Sequence, residues 1–151
     1  FMGMTKMGQA AIFETRGNEA THVILRGGKH GPNCDAAGVD AACAALRKAG
    51  LPERVMVDCS HANSAKQPLR QIDVAQALAD RIAAGDPRIA GVMIESHLEE
   101  GRQDLKPRAE LRRGVSITDA CIGWSQTEPL LLRLAEAVRQ RRRAGPAAGI
   151  A

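Results

Sequence analysis

The sequence predicts an α/β fold built on a parallel sheet, and three observations carry that prediction. Three short runs, His22-Val-Ile-Leu-Arg26, Val55-Met-Val-Asp58 and Ile89-Ala-Gly-Val-Met-Ile-Glu95, are apolar almost throughout and rich in β-branched residues. None alternates apolar with polar as a half-solvated antiparallel strand does, so they read as strands buried on both faces. An amphipathic helical pattern follows each of them, and strand then helix, three times over, is βαβ architecture.

The elements follow in order. Two extended stretches, residues 1–4 and 10–15, flank Thr5-Lys-Met-Gly-Gln9 and predict a hairpin with its turn near Gly8. Residues 35–49 place Val39, Ala42, Cys43 and Leu46 on one helical face and stop at Gly50. Residues 72–84 do the same with Ala75, Leu78, Ala79 and Ile82 and stop at Gly85. The last helix is expected after Thr127 as N-cap, with Leu130, Leu131, Leu134, Ala137 and Val138 as its apolar stripe. Residues 96–115 form a long polar connection of the kind that is usually functional or mobile. Residues 144–151 read as a flexible tail.

Composition narrows the function. The 151 residues suit one domain, with 44% hydrophobic and 25% charged residues, and no run approaches the ~18 apolar residues of a membrane span. Phe1, Phe13 and Trp124 are the only aromatics, which argues against base stacking and hence against a nucleic-acid partner. The net charge of +4 owes much to Arg139, Arg141, Arg142 and Arg143, where cations complement a helix C-terminus. Cys34, Cys43, Cys59 and Cys121 show neither C-x-x-C spacing nor disulfide-scaffold density, so a reducing cytoplasm is expected. The chain starts at Phe1 without a signal-peptide pattern and is expected to be a piece of something longer.

In parallel α/β proteins the chemistry gathers at the carboxyl ends of the strands. The first tip offers Arg26 and then Gly27-Gly28: a cation beside backbone that a phosphate could approach, or equally an ion-paired arginine beside a turn. The second offers His61, with Asn63, Ser64 and Lys66 beyond it; a loop histidine of this kind is more often hydrogen-bonded than ligating. The third offers Glu95 in an apolar run, where a carboxylate needs a cation, a metal or strong donors. Asp119 supplies a second acid before the final helix, with a cap or turn as its bland role. One imidazole and two carboxylates suit Mn²⁺, Fe²⁺ or Zn²⁺. His97 is a rival ligand, His22 and His30 read as strand-entry and loop residues, and Cys59 and Cys121 read as small core residues.

Taken together, Arg26-Gly-Gly after His22-Val-Ile-Leu, Asp58-Cys-Ser-His-Ala-Asn63, Gly91-Val-Met-Ile-Glu-Ser-His97 and Ser116-Ile-Thr-Asp-Ala-Cys-Ile-Gly-Trp124 closely resemble the type I 3-deoxy-D-arabino-heptulosonate 7-phosphate (DAHP) synthases. The likeness runs in order from Phe1 to about Arg142. It implies the C-terminal part of a (β/α)8 TIM barrel, its last three strand-helix units, preceded by a β-hairpin. Residues 1–143 would then be a partial barrel domain, with the hairpin at 1–15 and the strand-helix units at 22–143. The implied activity is that of a transferase, condensing phosphoenolpyruvate with erythrose 4-phosphate at the entry to the shikimate pathway and aromatic amino-acid biosynthesis.

By the same resemblance His61, Glu95 and Asp119 match ligands of a divalent metal ion, Mn²⁺, Fe²⁺, Zn²⁺ or Co²⁺. Arg26 matches a residue that holds the phosphoenolpyruvate phosphate, and His61 and Asp119 are expected against substrate and in catalysis. The family's cysteine ligand and Lys-Pro-Arg-Thr segment belong to earlier strands, and a whole barrel takes ~250 residues. The isolated chain is therefore expected to be inactive and to expose strand edge, and the alternative is a non-catalytic half-barrel that binds a metal or a phosphorylated ligand. Arg113 and Cys34 stand where the family commonly has tyrosines. The hairpin corresponds to the insertion that helps form an aromatic amino-acid effector pocket, and a homo-oligomer is expected at full length.

Overall fold

The structure, a computed structural model, describes residues 1–18, 20–29 and 31–145. His30 and residues 146–151 of the expected tail lie outside the described residues. Strands β1 (Met2–Met4) and β2 (Ala10–Ile12) form the expected antiparallel hairpin. Its turn closes where the Gly8 N–H donates to the Thr5 carbonyl at 3.0 Å, with Gly8 at φ +77. Strands β3 (Val23–Leu25), β4 (Val55–Asp58) and β5 (Ile89–Met93) form a parallel sheet in that order. Helices α1 (Ala36–Lys48), α2 (Arg70–Ala83) and α3 (Trp124–Ala144) complete the fold. Among the described residues no helix is long and apolar enough to cross a membrane.

The core lies between sheet and helices. Asp35 caps α1 by accepting the Gly38 N–H at 2.8 Å, and Gly50, at φ +70, lets the chain leave the helix. Val39 and Cys43 of α1 and Ala75, Leu78, Ala79 and Ile82 of α2 bury against Leu25, Val55, Val57 and Ile89. These are the faces that the 3.6-residue period predicts, and α3 adds Leu130 and Ala137 to the same cluster.

Four features depart from the sequence reading. Burial on both faces holds throughout for none of the three strands: Val55, Val57 and Asp58 of β4 are buried but Met56 is half-buried, Ala90 of β5 is exposed, and in β3, the edge of the described sheet, Val23 is 39% and Ile24 48% exposed. Strand β5 ends at Met93, whose carbonyl takes the Cys59 N–H at 2.8 Å; Glu95 lies past that last contact with the β4 side. Helix α3 starts at Trp124 rather than after Thr127. The Thr127 N–H already donates to the Gly123 carbonyl at 3.0 Å, so Thr127 is one turn inside the helix and Gly123 is the cap. On that helix Leu131 points outward, 47% exposed, while Leu134 and Val138 stay packed on the core.

The connection after β5 is also more ordered than its polarity suggests. The His97 N–H donates to the Ile122 carbonyl and the Ile122 N–H to the Glu95 carbonyl, both at 3.0 Å, so a short parallel bridge borders the end of β5 before α3 begins. Gln103 stitches the loop from within, donating to the carbonyls of Arg112 at 2.8 Å and Val115 at 2.9 Å.

At the opposite end of the sheet an ionic network joins the helices. Asp86 accepts from Arg81 at 2.7 Å and from Arg88 at 3.0 Å, Arg88 reaches Asp40 of α1 at 2.7 Å, and Arg141 of α3 donates to the Asp86 carbonyl at 2.9 Å. Arg139 and Arg143 pair with Glu136, while Arg142 is exposed. Burial opposes ionisation of Asp86, but the hydrogen bonds from Arg88 and Arg81 outweigh it and hold the carboxyl at about 2.

Two outcomes follow from this packing. Because the folded value for Asp86 lies below its ordinary 3.8, its stabilisation is complete above about pH 4 and is lost as the pH falls toward 2. Asp86→Asn is expected to cost about 2 kcal/mol at neutral pH, and urea melts should show the gap from wild type closing by about pH 2. Cys59 is fully buried, and burial pushes its thiol up to about 12. Iodoacetamide at pH 8 should therefore label Cys59 only after denaturation, and peptide mapping that finds it alkylated in the native protein would contradict this packing.

Candidate metal centre

The centre is assembled from the turn after β4. Asp58, the last residue of that strand, is 2% exposed; its Oδ1 accepts the Ser60 N–H at 2.7 Å and its Oδ2 lies 2.6 Å from Nδ1 of His61. A carboxylate there selects the tautomer with the proton on Nδ1 and leaves Nε2 as the free donor atom. His61 opens a 3-10 turn, His61–Ser64, at φ +45, a left-handed conformation that costs a side-chain-bearing residue ~1 kcal/mol or more.

Buried amides hold that strain in place. Nδ2 of Asn63 donates to the carbonyls of Leu25 at 3.0 Å and Asp58 at 2.7 Å, bridging the tips of β3 and β4. Oδ1 of Asn63 accepts the Asn33 N–H at 2.8 Å, and Oδ1 of Asn33 accepts the Gly27 N–H at 2.7 Å. Gly27 is tied to this packing: at φ +74, a Cβ there would lie 2.6 Å from Cβ of Ala62. Gly28, by contrast, faces open space.

Glu95 arrives from the extension of β5. Gln71 of α2, completely buried, accepts the Glu95 N–H at 2.8 Å and donates to the Glu95 carbonyl at 3.3 Å. Asp119 comes from the segment before the Ile122 bridge, where Oγ of Ser116 accepts the Thr118 N–H at 3.1 Å.

The structure brings His61, Glu95 and Asp119 together although they are far apart in sequence. One donor atom from each lies within 4.8 Å of the other two, and Nε2 of His61 is 3.8 Å from Oδ2 of Asp119. A core acid paired with a basic residue would look different. Among the described residues no Lys or Arg pairs with the Glu95 carboxylate, so the half-buried acid faces an imidazole nitrogen and a second carboxylate instead. A donor set of one neutral nitrogen and two anionic oxygens, open on the Asp119 side where that side chain is 59% exposed, fits a divalent cation.

The remaining candidates are placed differently. His97 is exposed, its Nδ1 accepts the Leu98 N–H at 2.8 Å, and it is not in the cluster. Arg26 is exposed at the tip of β3, and its carbonyl takes the Ala62 N–H at 3.2 Å, which fastens it to the turn bearing His61. Its guanidinium has no ion-pair partner among the described residues, against the alternative of an ion-paired arginine. Burial raises the Cys121 thiol, and its sulfur donates to the Asp119 carbonyl at 3.5 Å, in keeping with packing. Sequence reasoning missed Asp58 and Gln71. An acid closing an apolar strand three residues before a histidine was the legible signal for Asp58; Gln71 carried none.

Comparison with known proteins identifies the family. The model of the DAHP synthetase I family matches residues 2–132. A tyrosine-inhibited phospho-2-dehydro-3-deoxyheptonate aldolase of Schizosaccharomyces pombe is 57% identical over 145 residues, covering 93% of this chain and 39% of its own length. The Phe-sensitive enzyme of that name from Escherichia coli K12 is 52% identical over 142 residues, covering 94% and 40%. The solved phospho-2-dehydro-3-deoxyheptonate aldolase of Francisella tularensis superposes with a TM-score of 0.84 at 46% identity, over 94% of this chain and 41% of that one. The chain thus spans about two fifths of the length of the relatives it matches. Its α/β sheet and three helices fit a partial barrel, and the share covered does not by itself bear out the placement as the last three units. With the strand-tip motifs, the converging donors and these matches in agreement, the chain belongs to the DAHP synthetase I family.

Proposed function

We propose that the chain is part of a DAHP synthase, which joins phosphoenolpyruvate to erythrose 4-phosphate to give DAHP and phosphate, the first step of the shikimate pathway. The observation that carries the reading is the convergence of His61, Glu95 and Asp119 within 4.8 Å, at and beyond the carboxyl ends of the parallel strands. In this reading His61, Glu95 and Asp119 hold a divalent ion, Mn²⁺, Fe²⁺, Zn²⁺ or Co²⁺. Such an ion, when bound, supplies Lewis-acid stabilisation of negative charge on an aldehyde oxygen.

The side chains of this chain do the rest. Asp58 fixes the imidazole so that Nε2 faces the two carboxylates. Arg26, held to the His61 turn by its own carbonyl, offers a permanent cation to the phosphate of phosphoenolpyruvate, beside the open backbone of Gly28. In this reading Asp119, on the open side of the cluster, and His61, 3.8 Å from it, touch substrate and serve catalysis. In the proposed reaction the methylene carbon of phosphoenolpyruvate bonds to the aldehyde carbon, water adds at the enol carbon, and the C–O bond to phosphate breaks.

Relatives named tyrosine-inhibited, Phe-sensitive and Trp-sensitive support an aromatic amino-acid effector for the whole protein. The hairpin is its proposed seat: Phe1 and Phe13 stack with ring centroids 5.6 Å apart, and the Phe13 ring lies 3.0 Å from where a Cβ of Gly3 would be. A cytoplasmic homo-oligomer is part of the same reading.

The test uses the full-length protein. Chelation is expected to abolish DAHP formation and a divalent ion to restore it. Glu95→Gln and His61→Ala should each lower kcat at least a hundredfold and weaken metal binding; wild-type turnover in both would defeat the assignment. Metal binding by the wild-type protein without synthase activity would favour the non-catalytic, metal-binding alternative. Arg26→Ala is expected to raise the KM for phosphoenolpyruvate by tenfold or more, and unchanged constants would remove Arg26 from the site.

A further inference from the structure

We propose that Gln71 is a positioning residue for Glu95, its buried amide holding the Glu95 main chain so that the carboxylate faces His61 and Asp119. The inference rests on the metal-site reading above and extends it to the shell behind the ligands. Strand β5 has ended at Met93, so the Glu95 N–H has no strand rung to donate to. Gln71 fills that vacancy from the first turn of α2, accepting the N–H at 2.8 Å and donating to the carbonyl at 3.3 Å. The second lone pair of that carbonyl goes to the Ile122 N–H at 3.0 Å, from the segment that follows Asp119 by three residues. The main chain of Glu95 is therefore clamped between α2 and the Asp119 segment.

The pairing is specific to this side chain. Gln71 is 0% exposed, its oxygen and its nitrogen both bond the same residue, and no shorter or singly functional side chain supplies an acceptor and a donor at that reach. The neighbouring buried residues of α2, Ala75, Leu78, Ala79 and Ile82, pack apolar surface, so a glutamine at position 71 displaces core volume that an apolar residue could fill. Asp58 holds His61 in the parallel way, through the ring rather than the backbone. Outer partners of this kind tune metal affinity by tenfold to a hundredfold.

The experiment titrates metal-free full-length protein with Mn²⁺ alone, reading free Mn²⁺ by electron paramagnetic resonance, and follows thermal melting of the same samples. Gln71→Met removes both bonds at nearly constant volume and is expected to weaken Mn²⁺ binding about tenfold. Gln71→Glu keeps the acceptor and loses the donor, and should show a smaller loss. In a Glu95→Gln background Gln71→Met should add no further loss, because there is no carboxylate left to position. If Glu95→Gln itself leaves Mn²⁺ affinity at the wild-type level, the metal-site reading fails and this inference with it. If Glu95→Gln weakens binding while Gln71→Met and Gln71→Glu stay within twofold of wild type, or if both unfold the protein, Gln71 is structural only and the positioning role is overturned.

Discussion

The amide of Asn63 is the contact on which the rest of the strand-tip architecture depends. Past the last rung between β3 and β4, Asn63 donates both of its amide hydrogens to carbonyls at the sheet's carboxyl end, those of Leu25 and of Asp58. Buried carbonyls without donors cost ~1–3 kcal/mol each, so the amide removes a penalty at two strands at once. In doing so it fixes the short turn that begins at His61 and, through Asn33 and Gly27, the course of the chain leaving β3.

That constraint explains why strained backbone persists around the cluster. His61, Ala65 and Lys66 are the non-glycine residues at positive φ among the described residues, and all three lie in or just after this turn. Such conformations survive where the surroundings over-determine them. Here the carboxylate of Asp58, the amide of Asn63 and the contact of Ala62 with Gly27 do so. The reward is an imidazole whose useful nitrogen is aimed before any ligand arrives.

The two ends of the sheet divide the labour. At the base, arginines and aspartates tie α1, α2 and α3 to the start of β5, and the thiols and aliphatic side chains above them pack closely. At the tips, buried polar residues such as Asp58, Asn63 and Gln71 replace apolar packing with hydrogen bonds aimed at backbone. Fully satisfied polar shells of this kind are stiff, which is what a ligand set drawn from separate elements requires.

Periodicity and local chemistry in the sequence sufficed for the parallel strands, the buried faces of α1 and α2 and the Gly8 turn, while His61, Glu95 and Asp119 stood out as candidates through the motifs of the family resemblance. Each of these depends on residues within a turn or two of one another, or on motifs contiguous in the chain. Tertiary structure alone decided the start of α3, the exposure of Val23 and Ile24, and the bridge of Ile122 to Glu95, because each depends on which segment lies alongside. It alone also joined Gln71 to Glu95: a glutamine at a helix start reads as solvated, and only the main chain of Glu95, 24 residues on and two past the end of β5, gives its amide a backbone to hold.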